Sequence, residues 1–328
     1  MRKLGRVLGR LLALVVLVVL LFVFVLPPEQ ISREAPVEPD LSDPAGWLAA
    51  REARFNDITN GTEARIIWAG AEGLPTDVVI LYLHGFSASS EEIRPVPDRV
   101  AEALGANLIF ARLPGHGRGC AAMAEPRAGD WLDETDAMLA LARGIGERVV
   151  IMGTSTGGTL ASWAATDDRM AQNLAALVLI SPNYALANPA GGILELPLAR
   201  QWVPLVVGAE RTFEPINDLH GSFWTTRYPS SAAVTLGTLM REARARDYGS
   251  VDVPALFLFS DADQVVSAAA VRDFAANWGG ASTLIPVAVP DEGGDPYNHV
   301  IVGDALSPAM TDRAVEDITN WLRDTLAQ

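Results

Sequence analysis

The chain predicts an α/β protein built on a doubly wound, mostly parallel sheet, and three observations carry that reading. Short apolar runs alternate with helical patterns over most of its length. The runs are rich in Val, Ile and Leu instead of alternating with polar residues, as in strands covered on both faces. One of them, Arg148–Met152, feeds through Gly153-Thr154-Ser155-Thr156-Gly157 directly into a helical pattern.

Taken in order, the first element is an apolar segment. Leu11 to Leu26 holds no polar residue, and Arg2, Lys3, Arg6 and Arg10 precede it. As a helix at about 1.5 Å per residue this run covers roughly 24 Å. Extended back to Leu4, with Arg6 and Arg10 snorkelling, it reaches the ~30 Å of a bilayer interior. No small-x-small cleavage site follows it, and no cysteine for a lipid anchor, so residues 1–28 are expected to be an uncleaved transmembrane anchor spanning residues 4–26. Basic residues on one flank and Glu29, Glu34, Glu38 and Asp40 on the other orient the bulk of the chain outside the cytoplasm, in the periplasm if the source is bacterial. Pro27, Pro28, Pro36 and Pro39 make residues 29–44 a stiff, extended tether. Residues 45–328 then form the folded domain.

Within that domain the expected strands are Ala64–Trp68, Val78–Leu83, Asn107–Ala111, Arg148–Met152, Ala176–Ser181, Ala255–Phe259 and Ser282–Val289. Helices are expected at Pro97–Leu104, Trp131–Arg143, Thr156–Ala165, Ala268–Trp278 and Asp312–Leu326, the last with an apolar face at Val315, Ile318, Trp321 and Leu322. Residues 183–253 break the rhythm. They are too long for a plain connection and carry many large apolar side chains, which points to an inserted helical lid over a binding site. Extra helices packed on the sheet are the plainer alternative.

Composition narrows the function. A net charge of −15 repels phosphate backbones, so no nucleic-acid partner is expected. Cys120 is the only cysteine, which excludes an internal disulfide and a CxxC redox pair, and it reads as a neutral loop residue. No HExxH or other clustered ligand pattern exists, so no metal and no cofactor are expected.

The strand–G-x-S-x-G–helix segment carries the chemistry. A serine on a sharp strand-to-helix turn takes a strained backbone, and its close neighbours must lack side chains, which Gly153 and Gly157 do. Ser155 is the candidate nucleophile. Its hydroxyl needs a base, and in this architecture the acid and then the histidine follow the serine. Of the four histidines, His84, His116, His220 and His299, only His299 follows a plausible acid. Asp263 and Asp261 both lie just after strand Ala255–Phe259. Asp263 is preferred because Val265 and Val266 can anchor its loop, while Asp291, Glu292 and Asp295 follow the final strand and are outside choices. The backbone N–H groups of Phe86, after the tight turn at Gly85, and of Thr156 are the natural oxyanion donors. His84 and His116 are expected to brace loops, not to act as bases.

Together these residues resemble the α/β-hydrolase superfamily, most closely its monoacylglycerol lipase and carboxylesterase branch. The matching features are His84-Gly85-Phe86, Leu113-Pro114-Gly115-His116-Gly117, the elbow at Ser155, Asp263 before Val265-Val266, and Asn298-His299, spread over residues 64 to 328. The resemblance implies an α/β-hydrolase fold and an acid in a pattern similar to G-x-x-D-x-V-V, which here covers Ser260 to Val266 with Ser260 in the glycine position. Thr154 and Thr156 stand where many relatives have His and Met or Leu, which weakens any analogy of substrate but not of mechanism. The expected activity is hydrolysis of a carboxylic ester of small or medium size through an acyl-enzyme. The alternatives are an amidase or aminopeptidase, a thioesterase or acyltransferase using the same triad, and a membrane-anchored binding protein without catalysis. The last should have lost a triad member or an elbow glycine, and none is missing.

Overall fold

The structure is a computed structural model that describes residues 7, 9–11, 13, 14, 16, 17 and 25–327. Nine strands occur among them: β1 (Arg65–Ile67), β2 (Thr76–Leu83), β3 (Asn107–Phe110), β4 (Gly146–Thr154), β5 (Leu174–Ile180), β6 (Glu210–Thr212), β7 (Arg227–Pro229), β8 (Ala255–Phe259) and β9 (Ser282–Pro286). Seven form one sheet in the order β1-β3-β2-β4-β5-β8-β9. Only β1 runs antiparallel to its neighbour; the other pairings are parallel. The chain winds from β2 to β3 on one side and then to β4 and beyond on the other. Leu83 and Gly153 lie in register at the C-terminal edge beside this reversal, where open α/β sheets bind their ligands.

The apolar runs lack alternation because both faces are buried. In β2, Val79, Leu81 and Leu83 join one core layer while Val78, Ile80 and Tyr82 join the other. The first layer is roofed by helices Ala128–Ile145 and Thr156–Ala165, the second by Val96–Leu104 and Thr311–Leu326. In the last of these helices Ile318 and Leu322 are fully buried.

Residues 183–253 hold a 3-10 turn (Pro189–Glu195), helices Ala199–Val207, Asp218–Phe223 and Ala232–Arg244, and the β6–β7 hairpin. The segment divides in two. Leu239, Met240 and Ala243 of helix Ala232–Arg244 belong to the first core layer, whereas Ala199, Val203 and Val234 form a small cluster of their own with Ile193, Leu194 and Trp202.

Among the described residues no helix is long and apolar enough to cross a membrane. The expected anchor, residues 4–26, lies mostly outside the described residues. The tether differs from its expectation in one respect. Residues 27–40 contain no helix or strand, but they lie along the domain instead of standing off it. Arg200 holds the Glu29 carboxylate through two contacts of 2.8 and 2.6 Å, and Arg33 reaches Asp133 and the buried Asp136, each at 2.8 Å. Prolines set an extended backbone, but they do not decide whether charged neighbours dock it. The strap ends in a further helix, Pro44–Glu52, whose N-cap Asp43 accepts from the Gly46 N–H at 2.9 Å. Pro44 therefore starts a helix as well as ending the extended run.

Candidate active site

Ser155 sits between β4 and helix Thr156–Ala165 with φ 51° and ψ −112°, a left-handed conformation costly for a residue with a side chain. Neighbours hold it there. Its N–H donates to Ile180 at 2.9 Å, and its carbonyl accepts from Thr159 at 3.1 Å and Asn183 at 3.0 Å. The turn is tight because glycines permit it: a Cβ on Gly157 would stand 1.9 Å from the Leu83 carbonyl oxygen.

His299 lies in the loop after β9, with Nε2 3.1 Å from Ser155 Oγ and Nδ1 2.9 Å from Asp263 Oδ2. An ionised carboxylate only accepts, so Nδ1 carries the proton and Nε2 turns its lone pair toward the hydroxyl. Burial, the strongest influence on the ring, pushes its pKa down. The Asp263 carboxylate opposes this by charge and by hydrogen bond, Asp295 and Glu92 add to it, and the balance lies above the ordinary histidine value.

Asp263 is itself fixed. Its other oxygen accepts from the N–H groups of Val265 and Val266 at 2.8 and 2.9 Å, so the paired valines hold the loop through their backbones. Asp261 points elsewhere, paired at the surface with Arg272 at 2.6 Å. Gln264 ties this loop to the histidine loop, its N–H donating to Tyr297 at 2.9 Å.

The donors proposed for an oxyanion are placed as follows. Phe86 lines the same cavity as Ser155, and Thr156 is buried in the first turn of the helix that follows it. Among the described residues neither N–H donates to a turn, loop or cap carbonyl. His84 joins two loops: Nδ1 donates to the Gly85 carbonyl at 2.9 Å and Nε2 accepts from the Leu113 N–H at 3.0 Å. Burial pushes its pKa to about 4, so it stays neutral. His116 packs edge-on against it, also buried, with its pKa held low by desolvation. Among the described residues no group of three or more His, Cys, Asp or Glu side chains is arranged to hold a metal ion.

A family model for the alpha/beta hydrolase family matches residues 80–307, from within β2 to beyond His299. The chain belongs to the alpha/beta hydrolase family. Solved structures with the same fold include a metagenome-derived lipolytic enzyme of the LipS and LipT pair, 20% identical with TM-score 0.62, covering 81% of this chain and 99% of that one. The monoacylglycerol lipase of Paleococcus ferrophilus is 16% identical with TM-score 0.58, covering 80% and 98%. A soluble variant of monoglyceride lipase from Saccharomyces cerevisiae, bound to a substrate analogue, is 13% identical with TM-score 0.57, covering 81% and 92%. At these identities the likeness is one of fold. A search among curated proteins finds no match.

In this α/β-hydrolase a cavity of about 860 Å³ opens over Ser155 and His299, a size suited to a small organic ligand. Its walls are mainly apolar, including Leu186, Ile193, Val203, Phe213, Trp224 and Leu236, and most come from residues 183–253. Two further acidic residues stand beside the site: Asp295, which the sequence offered only as an outside choice for the acid, and Glu92, which it did not single out. Asp295 caps the histidine loop: Oδ2 accepts from the N–H groups of His299 and Val300 at 3.0 and 2.9 Å, and Oδ1 from Tyr297 at 3.1 Å. Glu92 is 2% exposed, and its Oε1 accepts from the Gly85 N–H and the Tyr82 hydroxyl, both at 2.6 Å. In Ser89-Ser90-Glu91-Glu92 it reads as one charge of a solvated turn. The only signal was its place seven residues beyond Gly85, in the turn after β2.

Proposed function

We propose that this α/β-hydrolase cleaves carboxylic esters through an acyl-enzyme on Ser155. The supporting observation is the unbroken relay from Ser155 Oγ to His299 Nε2 (3.1 Å) and from Nδ1 to Asp263 (2.9 Å) beneath a largely apolar cavity. In this reading the imidazole takes the hydroxyl proton as Oγ bonds to the acyl carbon. The carbonyl oxygen becomes an oxyanion, met by the N–H groups of Phe86 and Thr156. Collapse breaks the ester C–O bond, and the imidazolium returns its proton to the departing alcohol. Water then enters by the same route and releases the acid. Residues 183–253 supply most of the cavity wall and act as the lid that receives the acyl chain.

The anchor belongs to the same reading. Residues 4–26 hold the enzyme on a membrane with its hydrolase domain outside the cytoplasm, supported by the unbroken apolar run and its one-sided basic flank.

The first test is covalent. A fluorophosphonate probe labels the wild-type protein and not Ser155→Ala, which keeps its fold because only one hydroxyl oxygen, lining the cavity, is lost. Labelling that survives the substitution moves the nucleophile elsewhere. A panel of acyl esters, amides and thioesters tests the substrate class. Turnover of amides or thioesters without esters replaces it.

A further inference from the structure

The carboxyl group of Glu92 lies closer to the reacting atoms than its place in the sequence suggests. A Cβ added to Gly85 would meet Glu92 Oε2 at 2.9 Å and the Ser155 Cβ at 3.3 Å, so carboxyl, glycine and nucleophile converge on one point. On the other oxygen, Oε1, the Gly85 N–H and the Tyr82 hydroxyl both donate at 2.6 Å. Gly85 immediately precedes Phe86, whose N–H is one of the two oxyanion donors in the reading above.

We infer that Glu92, as an anion, is a positioning residue with two effects: it clamps the turn that aims the Phe86 N–H, and it stabilises the His299 imidazolium formed in each half-reaction. The inference rests on the ester-hydrolase reading of the same site. A negative charge buried among neutral groups acts over a longer range than one in water, so it can act on the ring without touching it. Burial outweighs the donors from Tyr82 and Gly85 and the charge on His299, and leaves the pKa of Glu92 raised to about 7. The group therefore changes charge in the range where the histidine works.

The other charges around it are accounted for. Glu91 faces outward to Arg65 and Arg94 at 2.6 and 2.9 Å. On β4, Thr154 is neutral and 3.1 Å from the Tyr82 oxygen. Helix Asp218–Phe223, packed on this turn, brings exposed Asp218 and His220, and burial holds the latter's pKa below its ordinary value. From the loop after β8 comes Asp263, and from the loop after β9 come His299, Asp295 and Asp304, the last with its N–H donating to the Arg94 carbonyl at 2.9 Å. Of these, His299 is the charge that lowers the pKa of Glu92.

Glu92→Gln keeps the size of the side chain and an acceptor for the Gly85 N–H but removes the charge. The measurement is the pH profile of kcat/KM for an acyl ester, with the rate of fluorophosphonate labelling followed in parallel. With Glu92 uncharged, the imidazolium is less stable. The acid limb should move down by about one pH unit, and the alkaline plateau should fall roughly tenfold in both assays. Tyr82→Phe makes the complementary change. It removes a donor to the anion, raises the pKa of Glu92 and should move the limb up, so it tests the inference even if the glutamine variant does not fold. A limb that stays in place in a folded Glu92→Gln, or a Tyr82→Phe limb that moves down, overturns the inference. Failure of the ester-hydrolase reading looks different, since the wild-type protein would then be inert in both assays.

Discussion

Asp261 and Asp263 stand two positions apart in one loop and have opposite surroundings. Asp261 is solvated beside Arg272, whereas the Asp263 side chain is 1% exposed and its oxygens are filled by two backbone N–H groups and the His299 ring. Replacing each by asparagine should separate them. Asp263→Asn removes the charge that offsets burial of the imidazole, so the acid limb of kcat/KM should move to lower pH. The rate should fall by about 10³–10⁴-fold, because the ring also loses the partner that fixes its tautomer. Asp261→Asn should leave the profile within about twofold of wild type, as expected for an exposed pair. At this scale the sequence was legible where chemistry leaves few choices: one G-x-S-x-G after a buried strand, and one histidine late enough to serve it. Glu92 was not legible, and Asp295 was legible only as an outside choice for the acid and not as a cap of the histidine loop, because both roles depend on burial and on facing backbone N–H groups, and neither leaves a mark in the local sequence.

Elements were legible in proportion to the regularity of their burial. The parallel strands appear as apolar runs because neighbouring residues enter two different core layers, and β8 runs from Ala255 to Phe259 just as its apolar stretch does. Residues 183–253 gave no such pattern. Helix Ala199–Val207 carries Pro204, leaves Leu205 and Val206 exposed, and turns Val203 to the cavity instead of the sheet. In helix Ala232–Arg244, Gly237 interrupts the apolar face where Leu194 packs against it. The strand–turn–helix elbow is the element on which the site depends, and its closeness is testable. Gly157→Ala places a methyl group against the Leu83 carbonyl, backbone against backbone, with no side chain able to yield. Such overpacking should cost about 1–3 kcal/mol of stability and shift Ser155 relative to His299. Thermal melting should show a lower Tm, and probe labelling should slow even in the fraction that remains folded.

For the whole molecule the question is where the folded unit begins. Its acidic balance of −15 leaves few cations to spare, and the strap before residue 44 contributes and receives several of the pairings they make. Arg33 lies against Asp133 and Asp136, and Asp136 is buried and shared with Arg169. Glu29 sits on Arg200, its pKa brought below the ordinary carboxylate value because the arginine outweighs the cost of burial. A chain that begins at Pro27 keeps all of these contacts and should be soluble, folded and as active as the full chain in detergent. One that begins at Asp43 keeps the N-cap of helix Pro44–Glu52 but leaves Arg200 without its carboxylate and Asp136 with one arginine instead of two. Breaking partly buried pairs of this kind should cost about 1–3 kcal/mol, seen as a Tm lower by roughly 5 °C. Arg33→Ala in the longer chain should reproduce part of that loss. Equal melting of the two chains would mean that the strap rests on the domain without stabilising it. A shorter chain that melts early but keeps its kcat would place the strap's contribution in folding and not in the chemistry at Ser155.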